Sequence, residues 1–294
     1  MMAREIPIKL AAHLARLLKR TRRRYRKRLA RCQEHFSEAA VHELRVETRR
    51  ALALLDLVMT LDLAGSPKKP RRALKKRLDA FDELRDAQVE LILVAPWLKK
   101  FPGAAEFESF LRRREDDLVA ELKCEIRKLK SRRVEKSLKT LEKEVDDARG
   151  TTSMSVAAVL EKPVRDAFNR VATLRKKIRR PDTKTIHCTR VAFKGYRYLC
   201  ELLQPLLPEM TTGRLRRMHD WQTRMGDIQD AEVLLAQIER AVKSGDVRLA
   251  SVKHLHAALA RRLVVLVNQF ISVADDLEFF RPKVIVTARK AGVS

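Results

Sequence analysis

Two segments of this 294-residue chain repeat one pattern, 187 − 42 = 145 positions apart. The first reads Val41-His42-Glu43-Leu44-Arg45-Val46 and continues to Arg49 and Arg50. The second reads Ile186-His187-Cys188-Thr189-Arg190-Val191 and continues to Lys194 and Arg197. The correspondence runs on through Leu54/Leu199, Asp56/Glu201 and Leu57/Leu202. A fold for this chain must therefore hold two related units, and its length suits two halves better than one simple core.

Apolar residues recur at helical spacing along nearly the whole chain. Strand alternation is almost absent, and aromatics make up only 5% of the residues. The expected fold class is all-α, packed through Leu, Val and Ala. The pattern predicts helices from about Leu10 through Leu29, from Ser37 to before Gly65, over 70–95, and from Pro102 through Ile126. A charged connector helix is expected over 131–149. After the polar break Gly150-Thr151-Thr152-Ser153, helices are expected over 155–178, 183–206 and 212–242, and from after Gly245 through Phe270. That is four core helices in 1–150, apart from the connector, and four in 151–275. A tail follows at 276–294, irregular or extended from Phe279 on.

On a helical wheel each repeat has two faces. His42, Arg45 and Arg49 form one stripe, with Leu44, Ala51, Leu55 and Val58 opposite. His187, Arg190 and Lys194 form the second stripe, with Arg197 at its edge and Phe193, Tyr196, Cys200 and Leu203 opposite. One charged stripe is an ordinary solvated face. Two stripes that agree on histidine, arginine and a second cation point instead to a basic binding surface. Further cations at helical spacing could extend it: Arg16, Arg20, Arg23 and Lys27 on the first helix, Lys75, Arg113, Arg217, Arg224 and Arg262 elsewhere.

Lys and Arg total 64 against 38 Asp and Glu, a formal net charge of +26. Such an excess suits an anionic partner. The four cysteines, Cys32, Cys124, Cys188 and Cys200, show no CxxC pair or zinc spacing and read as buried thiols in a reducing cytoplasm. No metal site or cofactor is expected, nor any membrane insertion, since the longest aliphatic runs are too short to cross a bilayer.

These repeated residues resemble the CHAD family, the conserved histidine α-helical domain. Its pattern is a histidine followed three residues later by arginine, then a basic run, occurring twice. A second family element resembles Phe81-Asp82-Glu83-Leu84-Arg85-Asp86 and Met225-Gly226-Asp227-Ile228-Gln229-Asp230. Asp82 stands where the family has glycine, Gln229 where it has arginine and Gly195 where it has a basic residue, so equal contributions from the two halves do not follow. The resemblance implies two four-helix bundles related by a pseudo-two-fold axis, with the basic stripes facing a central cavity or pore. It implies binding of inorganic polyphosphate there, with no catalytic residues, by His42, Arg45, Arg49, Arg50, His187, Arg190, Lys194 and Arg197. Localisation would be cytoplasmic, with polyphosphate granules a further association. Asp56 and Glu201 are expected to orient the basic side chains, and the histidines to donate as imidazolium, so that binding weakens from pH 6 to 8.

Two other functions fit less well. A nucleic-acid binder suits the charge, but no helix-turn-helix, zinc finger or aromatic platform is seen. A phosphate-ester or polyphosphate-processing enzyme would need a phosphate-cradling Gly-rich loop or a carboxylate cluster, and the sequence shows neither.

Overall fold

A computed structural model describes residues 5–283 except 151, 153, 180 and 181. Ten α-helices occur among the described residues: α1 Ile8–Glu34, α2 Glu38–Thr60, α3 Lys68–Asp79, α4 Asp82–Val94, α5 Ala105–Lys128, α6 Arg132–Asp147, α7 Val156–Arg175, α8 Thr183–Leu203, α9 Thr212–Ser244 and α10 Leu249–Ser272. Two parallel two-residue strands, Ile6–Pro7 and Arg149–Gly150, tie the chain's start to the end of α6. The fold is all-α, as the periodicity requires.

The helix starts follow local chemistry. Ser37, Ser155, Asp182 and Thr211 each accept a backbone N–H two or three residues ahead through the side-chain oxygen. Each thereby satisfies a donor that the first helical turn leaves free. Gly245 closes α9 at φ +84°, a conformation that glycine adopts without steric cost.

The segment 70–95 is two helices rather than one. Ala80 and Phe81 break it, and Phe81 turns inward to a position 3% exposed. The signal was in the charges. Lys76 and Arg77 end α3, while Asp82 and Glu83 open α4, each set favourable to the helix dipole at its own terminus.

The connector is a core helix. Val134, Leu138, Leu141 and Val145 of α6 are buried, and α6 packs on α1 and α3. With α2 these make the first bundle. The expected four-and-four division is not kept in the packing, because α4 and α5 pack on α9 and α10. There Val94, Phe107 and Leu111 share a core with Leu234, Ile238, Val252 and Leu255. A 33-residue helix such as α9 is about 50 Å long, more than one small bundle can cover. Its N-terminal part packs with α8 through Met218 and Trp221, and its C-terminal part serves the mixed core.

The tail also begins in the core. Residues 274–280 form a 3-10 turn, with Leu277 and Phe280 buried, and the Tyr196 hydroxyl donates to the Phe280 carbonyl at 2.6 Å. The rest of the tail beyond 283 lies outside the described residues. Cys32 and Cys200 are buried as expected, whereas Cys124 and Cys188 are exposed. Among the described residues no single helix is long and apolar enough to cross a membrane.

Candidate functional site

The two repeated helices pack on each other, α2 against α8. Their apolar faces point into the core, as the wheel predicts: Leu44, Ala51, Leu55 and Val58 on α2, and Phe193, Tyr196, Cys200 and Leu203 on α8, are all buried. This packing brings parts of the two basic stripes together. A cleft of about 1250 Å³ lies between α2 and α3 on one side and α7 and α8 on the other. Arg49, His187, Arg190 and Lys194 line it, with Lys75 from α3.

Three of these cations have no protein partner. Among the described residues neither Arg49, Arg190 nor Lys194 makes an ion pair, and none donates a hydrogen bond. Arg190 Nε is fully buried without an acceptor. Burial disfavours the Lys194 ammonium most, and Arg49, Arg190, Arg45 and Arg197 push its pKa further down, to about 7. Arg49 is lowered likewise, first by burial and then by Arg45. The cluster is a set of cations held together at a cost that nearby carboxylates relieve only in part, Asp82 acting on Arg49 and Asp230 on Arg190.

Three lining cations were not predicted: Arg71 on α3, and Lys162 and Arg170 on α7. Lys162, Asp166 and Arg170 step by four and so share one helix face, a pattern that the sequence shows. Nothing local shows that this face meets α2 and α8. Four carboxylates temper the charge. Asp56 pairs with Arg71 and Asp79 with Lys75, while Asp82 and Asp166 complete the lining. Asp56 thus orients a cation, as expected, and Glu201 does the same for Arg197.

Other predicted site residues fall elsewhere. Arg45 is 4% exposed and engaged: its Nη1 donates to the Leu78 carbonyl at 3.0 Å and its Nη2 to Asp82 at 2.7 Å. It pins α2 to the corner between α3 and α4. Arg197 is also internal, bonded to Gln222 and Glu201 and stacked over Tyr198. Arg50 points to the outer side, 3.9 Å from Glu47. Arg16, Arg20, Arg23 and Lys27 form an exposed stripe on α1 that does not line the cleft. Arg113 is exposed on α5, and Arg217 lies over the Phe279 ring. Arg224 and Arg262 are exposed, and their charges act on Asp227.

The histidines differ from each other. His187 lines the cleft, and its Nδ1 bonds the side-chain oxygen of Gln229. His42 is outside the cleft lining, and burial, Arg85 and Arg49 hold its pKa below the ordinary histidine value. An imidazolium at His42 is therefore disfavoured in the unliganded protein, and its formation would depend on the phosphate expected to favour it.

The family model of the CHAD domain matches residues 14–239. The chain belongs to the CHAD family. Polyphosphate binding is the known role of that family. The crystal structure of the CHAD domain from the plant Ricinus communis is similar in fold, with a TM-score of 0.75 over 96% of this chain and 95% of that one, at 14% identity. No curated protein matches this chain in sequence at a significant level. The match supports a polyphosphate-binding module in general, and its length takes in both repeated helices of this CHAD domain.

Proposed function

We propose that this CHAD domain binds inorganic polyphosphate in the cleft between α2/α3 and α7/α8, and that it binds without transforming its ligand. The observation that carries this reading is the unpaired trio Arg49, Arg190 and Lys194, contributed by both repeated helices to one cleft. Polyphosphate bears charge on every phosphate and has no bases to read. Guanidinium forks and a mobile ammonium match it, and no stacking platform is needed. The principal aromatic cluster supports the same choice. Phe193, Trp221 and Phe270 pack in the core, and the two tyrosines of the cleft wall, Tyr196 and Tyr198, are buried rather than presented as open stacking faces.

The deciding experiment is a binding isotherm for long-chain polyphosphate at about 150 mM salt, with duplex DNA as competitor. Binding that DNA does not displace is the expected result. Ready displacement would make the protein a general polyanion or nucleic-acid binder. A phosphate-release assay with magnesium or manganese tests the enzymatic alternative, and sustained release would overturn the binding-only reading.

Salt dependence follows from the same chemistry. For single-stranded polyanions each neutralised phosphate contributes about −0.7 to the slope of log K against log salt. Three to six contacts give a slope of about −2 to −4. A flat response between 50 and 300 mM salt would argue against charge-driven binding.

A pH dependence also follows, carried by Lys194 rather than His42. Its pKa lies at about 7 in the unliganded cleft, and a bound phosphate would raise it. Binding then takes up a proton above pH 7, so affinity falls as pH rises, by up to about fivefold from pH 7 to 8. Below pH 6.5 the amine is already charged and this effect levels off. Isotherms at pH 6, 7 and 8 measure it, and Lys194→Arg should flatten the profile. A wild-type profile that is already flat would remove Lys194 from the contact.

A further inference from the structure

The repeat places different residues opposite its two central arginines. The corner Phe81-Asp82-Glu83-Leu84-Arg85 corresponds to Met225-Gly226-Asp227-Ile228-Gln229. The burial pattern supports this register, since Phe81 and Met225 are buried, as are Leu84 and Ile228. In the first half Asp82 accepts from Arg45 at 2.7 Å. In the second half the corresponding residue is Gly226, and a Cβ there would lie 3.7 Å from both Nε and Nη2 of Arg190. The Arg190 guanidinium thus lies against a residue with no side chain, and its buried Nε finds no acceptor.

The same exchange recurs three positions on. Arg85 faces His42 as a like charge and pairs with Glu38 at 2.9 Å. Gln229 instead bonds Nδ1 of His187. An amide oxygen only accepts, so Nδ1 carries a proton, and Nε2 donates to a phosphate oxygen when the ring is imidazolium. At both positions the first half is closed by its own charges and the second half is left open.

We propose that anion binding is asymmetric: Gly226 and Gln229 keep Arg190 and His187 available to phosphate oxygens, while Asp82 acts as an internal counter-ion that withdraws Arg45. This rests on the polyphosphate reading of the cleft and adds which half makes the contact and what sets it. Asp82 and Gly226 are positioning residues, since each acts through its arginine. Carboxylate and phosphate compete for the same guanidinium donors, so the residue opposite each arginine sets the strength of its contact.

The test measures long-chain polyphosphate isotherms on the full chain, with thermal melts to confirm folding. Arg190→Gln should weaken binding about tenfold or more, the value of one charge-assisted contact. Arg45→Gln should change it less than threefold in the native background. Asp82→Asn should strengthen binding several-fold, and adding Arg45→Gln should then abolish the gain. Gly226→Asp should match the loss of Arg190→Gln, whereas the neutral Gly226→Asn should lose much less. Ala120→Asp on exposed α5 controls for net charge and should leave affinity near wild type. Equal losses for Arg45→Gln and Arg190→Gln, or no coupling between Asp82 and Arg45, would overturn the asymmetry while leaving the polyphosphate reading intact. If Gly226→Asp does not fold, the Asp82–Arg45 cycle decides alone. A wild-type protein that binds no polyphosphate would overturn the underlying reading as well.

Discussion

Lys194→Glu is expected to abolish polyphosphate binding while raising the melting temperature. The amine sits among Arg45, Arg49, Arg190 and Arg197 with no carboxylate partner, so the native residue adds to an existing repulsion. A glutamate there supplies an anion and can pair with Arg49 or Arg190, neither of which makes an ion pair among the described residues. Against the ligand the change removes one attraction and adds one repulsion. At about 1.5–3 kcal/mol for each charged contact, affinity should fall by at least about a hundredfold. Lys194→Gln, which only removes the charge, should lose about tenfold. Isotherms and thermal melts on the same preparations check both halves of this prediction. A fall in affinity together with a lower melting temperature would show that Lys194 contributes to folding rather than standing in conflict with it. Functional sites commonly store such conflict, and stabilising changes there commonly cost function.

Phe193→Ala should have the largest effect on the fold. Phe193 is 0% exposed, and its ring centroid lies 4.5 Å from that of Trp221, 5.7 Å from that of Phe280 and 6.2 Å from that of Tyr196. Removing it empties the centre of an aromatic cluster that joins α8, α9 and the 274–280 turn. The expected cost is about 3–5 kcal/mol, equivalent to a drop on the order of 10 °C in melting temperature. The helix that loses this anchor carries His187, Arg190 and Lys194 on its other face, so its support and its chemistry are linked. Added polyphosphate should recover part of the loss, because a ligand that binds only the folded state stabilises it. A melting temperature unchanged by the substitution would mean that the cluster does not hold α8 in place.

Much of the fold was legible in the sequence because helices are set by local rules. The caps at Ser37 and Thr211, the stop at Gly245 and the apolar faces of α2 and α8 all depend on residues within a few turns. Errors arose where the deciding contact was distant. The 131–149 segment reads as a charged connector because its apolar residues are few, yet those few are all placed on α1 and α3. The mixed core of α4, α5, α9 and α10 joins residues more than a hundred positions apart, which no periodicity records.

The candidate site divides in the same way. Sequence alone determined that the chain is helical, that it contains two copies of a histidine-arginine helix, and that its charge suits an anionic partner. Those conclusions need only spacing and net charge, both properties of the covalent chain. Tertiary structure decided which cations are available. Arg45 and Arg190 occupy the same place in the repeat and the same stripe on the wheel, yet one meets Asp82 and the other Gly226. A helical wheel gives a side chain's direction from its own axis and says nothing of the group packed opposite. Arg71, Lys162 and Arg170 enter the cleft, and the stripe from Arg16 to Lys27 does not, because helix packing alone sets which charged faces meet.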